Sequence, residues 1–127
     1  MKNYFGHIER DTLENNNFRK VIFTGKHSQL VLMSLKPEEE IGEEVHETVD
    51  QFFRFEKGQG KVFINDDQFD VKDGDAAVVP AGAKHNVINT GSEDLKLYTV
   101  YSPANHPFGT VHATKAEADE AEAEHHH

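Results

Sequence analysis

From Lys20 to Pro103 the chain sustains no helical period. Short runs rich in Val, Ile, Phe and Tyr alternate instead with Gly, Pro, Asn and Asp. A chain interrupted this often cannot build long helices, so its apolar side chains reach a common core through paired strands. The pattern predicts strands over residues 21–24, 29–35, 51–56, 61–64, 68–71, 75–79, 84–89 and 95–102. Turn chemistry falls between them, at Lys36-Pro37, Gly58 and Gly60, Asn65-Asp66-Asp67, Asp73-Gly74, Pro80-Ala81-Gly82 and Thr90-Gly91. Strands of this number and spacing imply an all-β sandwich or small barrel. Residues 9–17, ERDTLENNN, are polar and read as a loop, and no internal repeat is visible.

The 127 residues suit one domain, expected over residues 1–113, followed by an acidic helical tail over 114–127. Acidic side chains number 23 against 13 basic ones, for a formal net charge of -10. This balance repels phosphate backbones and anionic lipid, so neither nucleic acid nor membrane is an expected partner. The charge is uneven, because residues 116–127 carry five acids and no Lys or Arg. Thr114 with Glu117 reads as a capping box, and the Ala/Glu alternation favours helix. With no large apolar side chain to dock, that helix is expected to be solvated. The three terminal His are set aside from site reasoning. The N-terminal stretch shows no apolar run and no small-residue cleavage site, and the expected compartment is the cytoplasm.

The chain has no Cys, which excludes thiolate nucleophiles and Cys-held metals. Any metal must be held by nitrogen and oxygen. Two of the six histidines outside the tail stand in informative surroundings. In Gly74-Asp-Ala-Ala-Val-Val-Pro80-Ala-Gly82-Ala-Lys-His85-Asn-Val-Ile-Asn89, a strand, a tight turn and a returning strand place His85, Val87 and Asn89 on one face. In the segment from Gly42 to Gly58, Glu44 and His46 are two apart and point the same way. Gln51, Phe53 and Phe55 share one face of the next strand, and Phe52 and Arg54 share the other. If Glu44, His46 and Gln51 face a barrel interior beside His85, four ligands converge there.

These two segments resemble the two motifs of the cupin superfamily. The second motif, Gly-x5-Pro-x-Gly-x2-His-x3-Asn, is met at each fixed position by Gly74, Pro80, Gly82, His85 and Asn89. The first is a variant: its usual pair of His falls on Glu44 and His46, and its usual Glu on Gln51. The resemblance spans roughly residues 28–102 and implies a double-stranded β-helix, or jelly-roll, barrel with a metal in its mouth. It also implies the ligand set Glu44, His46, Gln51 and His85. The two replacements offset each other in charge, since a Glu enters where a His stood and a Gln where a Glu stood. Added oxygen donors favour Mn or Fe over Zn or Ni. Gln51, a neutral amide, is the weakest ligand of the four, and its alternative role is to orient a bound water.

The expected function is that of a metalloenzyme of isomerase, cyclase or dioxygenase type, acting on a small oxygenated molecule. The alternative is a barrel that binds a small, sugar-like ligand without turnover. Glu44 and Tyr101 are the candidate catalytic residues, and Phe53, Phe55 and Tyr98 the candidate ligand contacts. Small cupins of this type are often labelled as similar to mannose-6-phosphate isomerase. A phosphorylated sugar needs a cationic clamp, yet strand parity turns Arg54 and Lys84 away from the site, and Lys61 and Lys96 also read as outward-facing. An uncharged or carboxylated substrate is therefore expected. The strand over 29–35 is apolar on both faces, from which a homodimer is expected.

Overall fold

The computed structural model describes residues 3–125, and the remaining terminal residues, including the last two of the terminal His run, lie outside it. Ten strands follow a short helix and precede a second one. They are β1 (Arg19–Thr24), β2 (Gln29–Leu35), β3 (Glu44–Val45), β4 (Asp50–Lys57), β5 (Gln59–Ile64), β6 (Asp67–Lys72), β7 (Ala76–Val79), β8 (Lys84–Asn89), β9 (Leu95–Ser102) and β10 (Val111–His112). The helices are α1 (Ile8–Glu14) and α2 (Lys115–His125). The strands form a six-stranded sheet in the order β10-β1-β2-β9-β4-β7 and a four-stranded sheet in the order β3-β8-β5-β6. Every pairing is antiparallel. Two such sheets facing one another make the expected jelly roll.

Register decides which residues share a level inside the barrel. Across the larger sheet, Gln29 pairs with Tyr101, Tyr101 with Gln51 and Gln51 with Val79, which makes the top row largely polar. The next interior row runs Val31, Thr99, Phe53 and Ala77, and the one below it Met33, Leu97 and Phe55. The core lies in these lower rows with Val62, Val87, Leu35 and Leu95 from both sheets, all fully buried. The interior is thus mainly apolar beneath a polar rim, with Arg19 of β1 paired to Met33 at the lower level. Gly82 turns the chain into β8 with φ of 89°, a conformation that glycine adopts without strain.

Three expectations need correction. Residues 9–17 do not form only a loop, because α1 occupies most of them. Its Thr12 is fully buried and donates its hydroxyl to the Ile8 carbonyl at 2.7 Å. The helix packs on β2, β4 and β9, and Lys96 Nζ donates to the Asn15 carbonyl just past its end. This covers part of the outer face of β2, where Leu32 is buried.

The tail is not simply solvated either. Thr114 Oγ1 accepts from Glu117 N at 3.2 Å, as a cap should, but α2 also docks through Ala118, which joins the core cluster. A small side chain is enough here because it lets the helix backbone approach closely. We therefore expect Ala118→Asp to destabilise the protein by about 2 kcal/mol through a buried, unpaired carboxylate, as urea denaturation would show. Ala116→Asp, on the exposed face, should change stability by less than about 0.5 kcal/mol.

The third correction concerns β1. It begins at Arg19 rather than at residue 21, which brings a charged side chain onto the interior face beside Val21. Among the described residues, no helix is long and apolar enough to cross a membrane.

Candidate functional site at the barrel mouth

The polar top row meets β3 and β8 at the open end of the barrel. Glu44 on β3 pairs in register with His85 on β8, and His46 follows two residues later on the same side. Gln51 stands across from them on β4. His85 Nδ1 lies 3.0 Å from the Ala83 carbonyl, which can only accept, so this nitrogen carries the proton and donates. In the neutral ring, the other nitrogen then presents a lone pair. That nitrogen, Nε2, lies 3.1 Å from Gln51 Oε1, while the Gln51 amide donates to Thr99 Oγ1 at 2.9 Å. Two acceptors therefore face each other in a buried site, an arrangement that a cation relieves.

The His46 ring lies 5.3 Å from the His85 ring, centroid to centroid, and 6.0 Å from the Tyr101 ring, edge to face. Glu44 Oε2 lies 3.4 Å from His46 Nε2. Among the described residues, no three His, Cys, Asp or Glu side chains stand close enough together to hold a metal by themselves. His85 meets Gln51, His46 meets Glu44, and the two imidazoles stand side by side. Two imidazoles and an amide oxygen, with a carboxylate within reach, suit a divalent cation.

Burial dominates the electrostatics. It pushes the Glu44 carboxyl up to about 7, reinforced by the Glu122 carboxylate and opposed by the charges of Arg19 and Lys115. His46 is held below the usual imidazole range, first by burial and then by its neighbours His85 and Arg19. His106 is pushed down to about 3, chiefly by burial, and so stays neutral. Its Nε2 lies 3.2 Å from the hydroxyl of Tyr101, whose own ionisation burial pushes up. A phenol that keeps its proton beside a neutral imidazole donates to it.

His106 and Glu122 were not among the expected site residues. His106 reaches the mouth because the buried Gln29 side chain captures its loop. Gln29 Oε1 accepts from the backbone N–H groups of Asn105 and His106, and Nε2 donates to the His106 carbonyl at 2.8 Å. Glu122 arrives on α2. With Glu44, His46 and Asn105 these two residues line a mouth cavity of about 700 Å³. A cleft of about 430 Å³ beside Gln59, Asp70 and Thr90 has no histidine in its lining. His106 follows the last long strand with no motif spacing to mark it, and Glu122 gave no signal because its helix had no visible reason to dock.

The remaining expected contacts divide. Phe53 lies 6.3 Å from the His85 ring and forms the floor under the site. Phe55 stacks on Phe53 at 6.2 Å, one level deeper and fully buried, so it is core rather than a ligand contact. Tyr98 is on the wrong face. It is three residues from Tyr101, and the two-residue period of a strand turns it outward onto Phe52, 6.3 Å away. Arg54 also faces outward and pairs with Glu56 at 3.0 Å. Lys84 lies near Glu43 on the exposed rim.

Comparison with known proteins agrees with this architecture. The model of the Cupin domain matches residues 31–101. An uncharacterized protein of Bacillus subtilis, YrkC, is 53% identical over 127 residues, covering 95% of this chain and 68% of the relative. The crystal structure of BH2720 from Bacillus halodurans superposes with a TM-score of 0.92 at 44% identity, over 94% of this chain and 95% of that one. A Thermotoga maritima protein described as a predicted oxalate decarboxylase gives a TM-score of 0.58 at 26% identity, over 60% of this chain and 66% of that one. With its jelly-roll barrel, its second motif intact and these relatives, the chain belongs to the cupin family.

Proposed function

We propose that this cupin holds one divalent metal between His46, His85 and Gln51 and acts on a small oxygenated molecule in the mouth, as an isomerase, cyclase or dioxygenase does. The supporting observation is the meeting of His85 Nε2 and Gln51 Oε1 at 3.1 Å, with the opposite ring nitrogen tied to a backbone carbonyl. When bound, the metal supplies a Lewis acid that polarises a carbonyl or enediol oxygen. Mn and Fe suit a set with an amide oxygen and a neighbouring carboxylate.

The chain's own residues supply the rest. Ala83 and Thr99 orient His85 and Gln51, so neither donor reorganises on binding. Glu44, with a carboxyl near 7, exchanges a proton readily at neutral pH and is the acid–base group. Tyr101 keeps its proton and is oriented by His106. Phe53 closes the floor against water. The likeness to a protein described as a predicted oxalate decarboxylase favours turnover over binding alone.

The test is elemental analysis of protein purified without a metal column. We expect about one metal per chain in the wild type and about none in the His46→Ala/His85→Ala double variant. A double variant with wild-type metal content would falsify the site. Loaded protein that binds small carbonyl compounds but turns none over would leave the non-catalytic barrel.

A further inference from the structure

Arg19 is the one fully charged side chain that the fold carries onto the interior face of β1, and it is only 2% exposed. It alternates with buried Val21 and pairs in register with Met33 of the core, on the side of the sheet that faces the barrel. A guanidinium has five N–H donors and never loses its charge in proteins. Here they are poorly used. Nε has no hydrogen-bond partner, and the side-chain contact that Nη1 makes is 3.5 Å to His112 Nδ1, at the limit of a hydrogen bond. Among the described residues, no carboxylate lies within 4.0 Å of it, although acids are plentiful in this chain. The Phe18 ring lies 5.3 Å from the guanidinium carbon and supplies only a weak counter-field.

A buried cation with an open fork matches a planar, bidentate anion, and the smallest common one is a carboxylate. Its position relative to the mouth is consistent with this. The charge of Arg19 is felt at Glu44, His46 and His106, which line the mouth cavity, and at Tyr101, which touches His106. Of the other cations near by, Arg54 lies beside Glu56 on the outer face, Lys96 donates to the Asn15 carbonyl beneath α1, and Lys115 pairs with Asp119 on α2.

We propose that Arg19 is the anchor for a carboxylate group of the ligand, so that the barrel takes small carboxylic acids rather than neutral sugars or carbonyl compounds. This deepens the reading of the mouth as a substrate site and rests on it, but it does not require the metal. The carboxylate would be held by the guanidinium fork, and the rest of the molecule would extend towards His46, His85 and Glu44.

Succinate and its neutral diamide, succinamide, serve as probes in calorimetric titrations of metal-free and metal-loaded protein. Succinate is expected to bind both forms, and succinamide at least tenfold more weakly. Arg19→Gln should lose at least tenfold in succinate affinity and leave succinamide unchanged. Lys115→Gln removes another charge felt at Glu44 and should stay within twofold of the wild type. Equal affinity for acid and amide, or equal losses in the two variants, would overturn the assignment. So would a wild type that binds no acid in a series from acetate to glutarate. The acid/amide comparison uses unaltered protein and stands even if Arg19→Gln fails to fold. Metal content is read separately: a wild type without metal that still prefers succinate refutes the metal centre and keeps the anchor.

Discussion

Between pH 4 and pH 8 the metal-free protein is expected to lose about 3 kcal/mol of stability as Glu44 ionises. An unfolded chain lets this carboxyl titrate near its ordinary value of 4.5, whereas the folded barrel holds it near 7. Below both values the group is neutral in either state and contributes nothing to the pH dependence. Above 4.5 the unfolded state is progressively favoured because it alone ionises freely, and the loss is complete once pH exceeds the folded value. Glu44→Gln removes the effect. It should match the wild type within about 0.5 kcal/mol at pH 4 and exceed it by about 3 kcal/mol at pH 8. Urea unfolding at a series of pH values measures both curves. Parallel curves would show that the carboxyl is solvated and that the mouth is wetter than its geometry implies. A divalent metal added to the wild type should flatten its curve as well, since a cation near Glu44 removes the cost of its charge.

Phe55→Ala should be among the most damaging single substitutions, at about 3–5 kcal/mol, or a fall in Tm on the order of 15 °C. The ring is fully buried, and the rigid sheets on both sides cannot collapse into the void. Metal content should nevertheless be unchanged in whatever fraction stays folded, because Phe55 lies one level below the site. Phe53→Ala should cost a similar amount and also lower metal content, because its ring packs beside His85. Thermal melts paired with elemental analysis separate the two effects. Equal metal loss in both variants would place Phe55 in the site after all.

Much of the site was legible from local spacing. The strands over 29–35, 84–89 and 95–102 match β2, β8 and β9, because each is a continuous run of β-formers between strong turn signals. The period of two put Gln51 and Phe53 on one face and Arg54 on the other, and it paired His85 with Asn89. The failures have a common cause. Residues 9–17 are polar, and α1 forms there because it gains a surface to cover on β2 and β9. Helix α2 docks through Ala118, whose apolar character is too slight to register in any hydrophobic pattern. Arg19 was missed because a charged residue at a strand end reads as solvent-facing.

By itself, the sequence determined the strand composition, the two motif segments and the confinement of chemistry to nitrogen and oxygen donors, since these follow from residue types and short separations along one chain. Only the tertiary structure decided that Gln51 meets His85, that Gln29 holds His106 over the mouth, that Glu122 belongs to the rim and that Arg19 is buried. Each of these joins segments dozens of residues apart. Such contacts follow from the register and closure of two facing sheets, which no local pattern encodes.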